Sequence, residues 1–81
     1  MKPKKVPESF IDVDIKLEEI GEKLRMIRKA QYSNYEDFAR RSNINKVLIN
    51  RSERGKSISM RHFVNIVQKL GISFQDFFKE L

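Results

Sequence analysis

Apolar side chains recur at helical spacing along most of the chain, and short polar or glycine-bearing stretches interrupt them. Phe10, Val13, Leu17, Ile20, Leu24 and Ile27 follow one another at intervals of 3, 4, 3, 4 and 3 positions, the repeat of a single helix face. The same region carries a second pattern. Ile11, Val13, Ile15 and Leu17 alternate with Asp12, Asp14 and Lys16, which is strand periodicity. An extended segment to about Ile15, capped by Asp14 and followed by a helix from about Lys16 to Ala30, accommodates both. Glu18, Glu19 and Glu22 then fall near the helix start, where the backbone dipole favours negative charge. The first nine residues hold both prolines and three lysines without periodic apolar positions, so residues 1–15 are expected to form a partly extended arm and residues 16–81 the folded domain.

Four shorter helices follow from local signals. Asn34 can cap a helix through Arg41, with Asp37 as its reciprocal partner, although Ser33 and Glu36 would serve equally. Ser42-Asn43-Ile44-Asn45 breaks the pattern. Asn43 tolerates the left-handed conformation a tight turn needs, and Asn45 can cap a third helix, Lys46 to Glu53, which Gly55 ends. Ser59 can cap a fourth that buries Phe63, Ile66, Val67 and Leu70 before Gly71. Ser73 can cap a fifth from Phe74 to the end, with Phe74, Phe77, Phe78 and Leu81 as its apolar residues. The expected fold class is all-α, with five short helices and no sheet.

Charge placement narrows the partners. The 81 residues carry 17 basic and 11 acidic side chains, net +6. Residues 1–39 and 63–81 are each neutral overall, so the excess falls on residues 40–62. There Arg40, Arg41, Lys46, Arg51, Arg54, Lys56 and Arg61 stand against Glu53 alone. An even spread would serve solubility, whereas one basic segment is an electrostatic footprint for a polyanion. That segment lacks the broad apolar face of a membrane-surface helix. The longest apolar run, Val47-Leu48-Ile49, is far short of the roughly 20 residues of a membrane span. A basic start without a following apolar stretch is not a signal peptide, and a cytoplasmic location is expected.

Catalysis and metal binding find little support. There is no cysteine and one histidine, His62, so no disulfide framework, zinc-thiolate site or multi-histidine metal site is available. No nucleophile–base set, phosphate-cradling glycine loop or paired-carboxylate site emerges, and His62 beside Phe63 suits a helix surface. No enzyme activity, cofactor or small-molecule substrate is expected.

Two short helices joined by a four-residue turn, the second intensely basic, make a helix-turn-helix. The stretches Ile20-Gly21-Glu22-Lys23-Leu24-Arg25, Phe38-Ala39-Arg40-Arg41-Ser42-Asn43-Ile44, Glu53-Arg54-Gly55-Lys56 and Leu70-Gly71-Ile72-Ser73 resemble, in order, the phage repressor and Cro-like (XRE-type) DNA-binding domain over about residues 17–78. The resemblance implies a five-helix, lambda-repressor-like domain of bacteria, phages or mobile elements. Such a domain binds double-stranded, two-fold symmetric operators as a homodimer. It also implies that bases are read from Lys46, Val47, Asn50 and Arg51. Lys46 and Arg51 suit guanine, Asn50 adenine and Val47 a thymine methyl. A solvated basic face is the alternative for Lys46 and Arg51, and an ordinary exposed amide for Asn50.

Candidate phosphate contacts are Tyr35, Asn45, Arg54, Lys56 and Arg61. Tyr35 stands where the family usually has glutamine, and it can reach a phosphate or pack on the third helix. Arg28 and Glu53 match a buried ion pair of related repressors that ties the first helix to the third. Gly21 suits a close approach of another helix. Phe74 and Phe77 are expected to close the monomer's core, leaving Phe78 and Leu81 as candidates for a dimer interface. Ile11, Val13 and Ile15 offer an alternative pairing edge.

The expected function is a sequence-specific transcriptional regulator of the repressor type. Three departures from the family pattern keep an alternative open. Ser52 replaces a large apolar residue inside the third helix, Ser33 replaces one before the second, and Val47-Leu48 puts two apolar side chains on the groove-facing turn. These features also suit a protein-interaction module, antitoxin-like or anti-repressor-like, that kept the fold and lost operator binding.

Overall fold

A computed structural model describes residues 12–81. Among them the chain forms helices α1 (Val13–Gln31), α2 (Tyr35–Ser42), α3 (Lys46–Glu53), α4 (Met60–Lys69) and α5 (Phe74–Phe77), and no strand. None of these helices is long and apolar enough to cross a membrane.

Each helix opens on a side-chain cap that satisfies one otherwise unpaired backbone donor. Asp12 accepts from Ile15 N, Asn34 from Asp37 N, Asn45 from Val47 N, Ser59 from His62 N and Ser73 from Asp76 N. Two of these correct the sequence reading. The first helix starts at Val13 on an Asp12 cap, not after Asp14, so Val13 and Ile15 are helical and exposed and do not form an extended edge. The helical spacing wins because an isolated alternating segment has no partner strand to satisfy its backbone. The remainder of the expected arm, including Phe10 and Ile11, lies outside the described residues. At α2, Asn34 is the cap, but Asp37 does not reciprocate. Its carboxylate instead holds Arg40 and Arg41 one turn on.

The turn between α2 and α3 is set by the backbone. Asn43 adopts φ 61 and ψ 41, and Ile44 N donates to Ala39 O at 3.0 Å. These are the left-handed residue and the long bond that close a helix C-terminus. The same arrangement ends α3. Gly55 takes φ 79, Gly55 N reaches Ser52 O at 3.1 Å, and Lys56 N reaches Arg51 O at 2.9 Å. Both turns use the residues that enter the left-handed region at least cost.

The core joins all five helices. Leu24 of α1, Phe38 of α2, Ile49 of α3, Ile66 and Val67 of α4 and Phe77 of α5 are the largest fully buried side chains. α1 lies directly on the end of α3 because Gly21 removes the side chain between them. A Cβ there would sit 2.5 Å from Ser52 O and 2.8 Å from Glu53 O.

The C-terminal helix is shorter than the apolar pattern suggests. After Phe77 the bonds tighten to three-residue spacing, as in Lys79 N to Asp76 O at 3.2 Å and Leu81 N to Phe78 O at 3.3 Å, so the last turn frays out of α-geometry. Phe77 is buried as expected. Phe74 is not: it stands 39% exposed beside Phe78 at 37%, and it packs edgewise on Phe63 and on Phe78, while Phe78 meets Phe63 at a tilt. Leu81 is half-buried against the core.

Candidate nucleic-acid interface

Helix α3 faces two ways. Ile49 and Ser52 are buried, so the positions on the other side, Lys46, Val47, Asn50 and Arg51, share an outward stripe one turn long. Lys46, Val47 and Arg51 are exposed, and Asn50 is half-buried. Leu48, the second apolar residue of the first turn, is half-buried. Val47 alone therefore presents a large apolar surface on this helix, at 56% exposure.

Contacts among these side chains were only partly visible in the sequence. Asn50 Nδ2 donates to the Tyr35 hydroxyl oxygen at 3.2 Å, across the turn from the start of α2 to the second turn of α3. Tyr35 is half-buried against the core while its hydroxyl keeps its own proton to donate. Packing and phosphate contact are therefore compatible for this residue. The sequence signal was the placement of both residues on facing turns; the 15-residue separation hid the pair. Arg51 Nη2 donates to Ser57 O at 2.9 Å, which ties the end of α3 to the connection before α4. A guanidinium has five N–H donors, so this bond leaves most of the fork free. Asn45 spends its Oδ1 on Val47 N, so its amide N–H₂ is the part left to face a phosphate.

Below this surface Arg28 and Glu53 meet in a bidentate pair. Arg28 Nε donates to Glu53 Oε2 at 2.9 Å and Nη2 donates to Oε1 at 2.8 Å, with both side chains nearly closed to solvent. Arg28 Nη1 also reaches the carbonyls of Tyr32 and Ser33. Donation to the Glu53 carboxylate holds the Arg28 guanidinium above its ordinary pKa against the opposing effect of burial. This pair fixes α3 against α1 and the start of α2.

It also shapes the outer field. Glu53 is the one acidic residue between positions 40 and 62, and its charge is turned inward. Lys46 has Glu36 at 3.4 Å, and Arg40 and Arg41 share Asp37. Arg51, Arg54, Lys56 and Arg61 are all exposed, and among the described residues no carboxylate lies within ion-pair distance of them. The end of α3, the connection after it and the start of α4 thus form a basic rim beside the α3 stripe.

Ser59 Oγ lies 2.8 Å from His62 Nδ1, but the hydroxyl is the α4 cap and the ring lies on the helix surface. Among the described residues no group of three or more potential metal ligands occurs.

A family model described as helix-turn-helix matches residues 24–77, two thirds of the chain. Searches of curated proteins and of solved structures return no match.

Proposed function

The chain belongs to the helix-turn-helix family, is a DNA-binding regulator of the Cro/repressor-like type, and from that premise we propose that it is a sequence-specific transcriptional repressor acting as a homodimer. The observation that carries this reading is the basic rim: Arg51, Arg54, Lys56 and Arg61 are exposed with no ion-pair partner among the described residues, and Glu53, the one acidic residue of their own segment, is turned inward onto Arg28. Four exposed cations without ion-pair partners in one short stretch of chain are the footprint of a polyanion, and a polyphosphate neutralises them together.

In the proposed complex α3 enters the major groove, roughly 12 Å wide. Lys46 and Arg51 donate to guanine O6 and N7, Asn50 pairs with adenine, and exposed Val47 meets a thymine methyl. Tyr35, Asn45, Arg54, Lys56 and Arg61 hold phosphates on either side and so set the register without reading sequence. Asn50 is oriented by Tyr35, so one hydroxyl couples a phosphate contact to a base contact.

A single helix spans few base pairs, and two must sit about 34 Å apart to read successive turns. Phe78, with Leu81 at its edge and Phe74 alongside, is the proposed contact between protomers, and the operator is correspondingly two-fold symmetric. The proposed setting is the bacterial cytoplasm.

A salt titration of binding to a short arbitrary duplex tests the polyanion reading. Affinity should fall steeply and linearly on logarithmic axes. A salt-independent affinity, or none at low salt, would favour the protein-interaction reading instead.

A further inference from the structure

Two side-chain hydrogen bonds join α2 to α3 among the described residues, and they differ in burial. Lys46 Nζ meets Glu36 Oε2 at 3.4 Å with both side chains well exposed, and a pair of that kind orders little. Asn50 Nδ2 donates to the Tyr35 hydroxyl oxygen at 3.2 Å in a partly buried contact. Tyr35 opens α2 with its ring packed against the core. Asn50 is half-buried beside the fully buried Ile49. An asparagine side chain has few torsions to turn about, so one bond to an anchored ring decides which end of the amide faces outward.

The direction of that bond has a consequence for base reading. An amide carries its donors at nitrogen and its acceptor at oxygen. With Nδ2 held by Tyr35, Oδ1 and the second N–H are what remain for a ligand. A phosphate oxygen only accepts, and Tyr35 has a single hydroxyl proton. Once that proton is given to a phosphate, the hydroxyl meets Asn50 only through a lone pair, which is the direction already present without DNA. The phosphate contact and the amide orientation therefore enforce each other.

We propose that Tyr35 is a positioning residue that sets the base preference of Asn50: it holds Nδ2 so that Oδ1 meets the base, and the partner must carry a major-groove amino group. Adenine N6 and cytosine N4 meet that demand, whereas guanine O6 and thymine O4 oppose it. The second N–H separates the first two. Adenine places the N7 acceptor beside N6 and cytosine offers no such acceptor, so adenine ranks first. Without the hydroxyl the amide is free to turn over and present its donors to guanine or thymine, and the discrimination is lost. The inference rests on the DNA-binding reading above and names the base chemistry of one position in it; the orientation of the amide does not depend on that reading.

The orientation is tested first on the full chain without DNA. Tyr35→Phe keeps the packed ring and removes only the hydroxyl, so the variant should stay folded. In the wild type the Asn50 side-chain amide should be as rigid as the α3 backbone by nuclear relaxation. In Tyr35→Phe it should move freely, like an exposed amide. Equal mobility in the two proteins would overturn the positioning role.

Base preference is then read by competition among duplexes that differ at the base pair whose selection is lost in Asn50→Ala. The wild type should rank adenine first and cytosine second, with guanine and thymine weaker by about tenfold, as for one bidentate contact. Tyr35→Phe should compress that range to about threefold and leave the preference at the Arg51-dependent base pair intact. Asn50→Asp has acceptors only and needs no orienting partner, so cytosine should rank first and adding Tyr35→Phe should not alter the order. Three results would overturn the inference: Tyr35→Phe weakening every duplex alike with the ranking unchanged, a wild-type preference for guanine or thymine, or no base pair that depends on Asn50. A rigid Asn50 amide, released by Tyr35→Phe, in a protein that binds no duplex would locate the failure in the DNA-binding reading instead.

Discussion

Replacing Arg28 by alanine removes one partner of a pair that water scarcely reaches. Both side chains are 6–7% exposed, so Glu53 cannot recover its hydration without movement of α3 away from α1. Breaking such a pair from one side costs about 3–5 kcal/mol, because a charge is left buried and alone. The carbonyls of Tyr32 and Ser33 lose a donor as well, which places the effect toward the upper end. A chain of this length has a total stability of roughly 4–12 kcal/mol, so the variant should be marginal or unfolded at 37 °C. The melting midpoint should fall by about 15–30 °C, at roughly 4–8 °C per kcal/mol for a small domain. Urea unfolding followed by circular dichroism gives the free energy directly. Replacing both partners by apolar residues, Arg28→Met with Glu53→Leu, should recover most of the loss. A midpoint unchanged in Arg28→Ala would mean that Glu53 is solvated and the packing of α1 on α3 is looser than described. Failure of the double replacement to recover stability would mean that the loss comes from elsewhere.

Other consequences follow from the same contacts. Gly21→Ala forces a methyl group into the α3 backbone and should destabilise by about 3 kcal/mol or more, as overpacking against rigid neighbours does; an unfolding free energy within error of wild type would exclude the close helix contact. A cavity of about 160 Å³ lies over Ser52, walled by Leu17, Ile20, Ile58 and Phe63; Ser52→Leu should raise stability by about 1–2 kcal/mol by covering that wall, and a loss in the same urea titration would show the cavity too narrow to accept it. Neutralisation of about six to eight phosphates by a dimer predicts a slope of roughly −5 to −7 for log affinity against log salt. Arg54→Ala and Lys56→Ala should weaken all duplexes alike, whereas Lys46→Ala and Arg51→Ala should cost about 1–3 kcal/mol at particular base pairs; identical behaviour of the two groups in competition binding would sink the assignment. Phe78→Asp should dissociate the dimer in sedimentation at micromolar concentration, and an intact dimer would move the interface away from the C-terminal aromatics.

Elements fixed by neighbouring residues were readable in the sequence. The bounds of α3, the left-handed Asn43 and the serine and asparagine caps depend on a few adjacent positions, so composition and spacing sufficed. The start of α1 was misread because residues 10–17 satisfy two periodicities at once, and only the absence of a partner strand decides between them. Phe74 and Phe77 were indistinguishable on a helix of one turn; which one enters the core depends on how α4 crosses above them. Features built by distant segments stayed hidden. The Tyr35–Asn50 bond requires the folded angle between α2 and α3, and the Arg51–Ser57 tether and the cavity over Ser52 require the folded path of the 54–59 connection. Arg28 and Glu53 could be paired in advance through family resemblance, but not from spacing alone.

In the proposed complex the basic rim positions α3 on DNA so that its outward stripe reads sequence. Selection of bound duplexes from a random-sequence pool by the intact chain measures this directly. Two-fold symmetric sites with half-site centres about one helical turn apart should be enriched, and preference at a defined base pair should be lost when the selection is repeated with Arg51→Ala. A selected pool with no common sequence, recovered equally by wild type and Arg51→Ala, would contradict it.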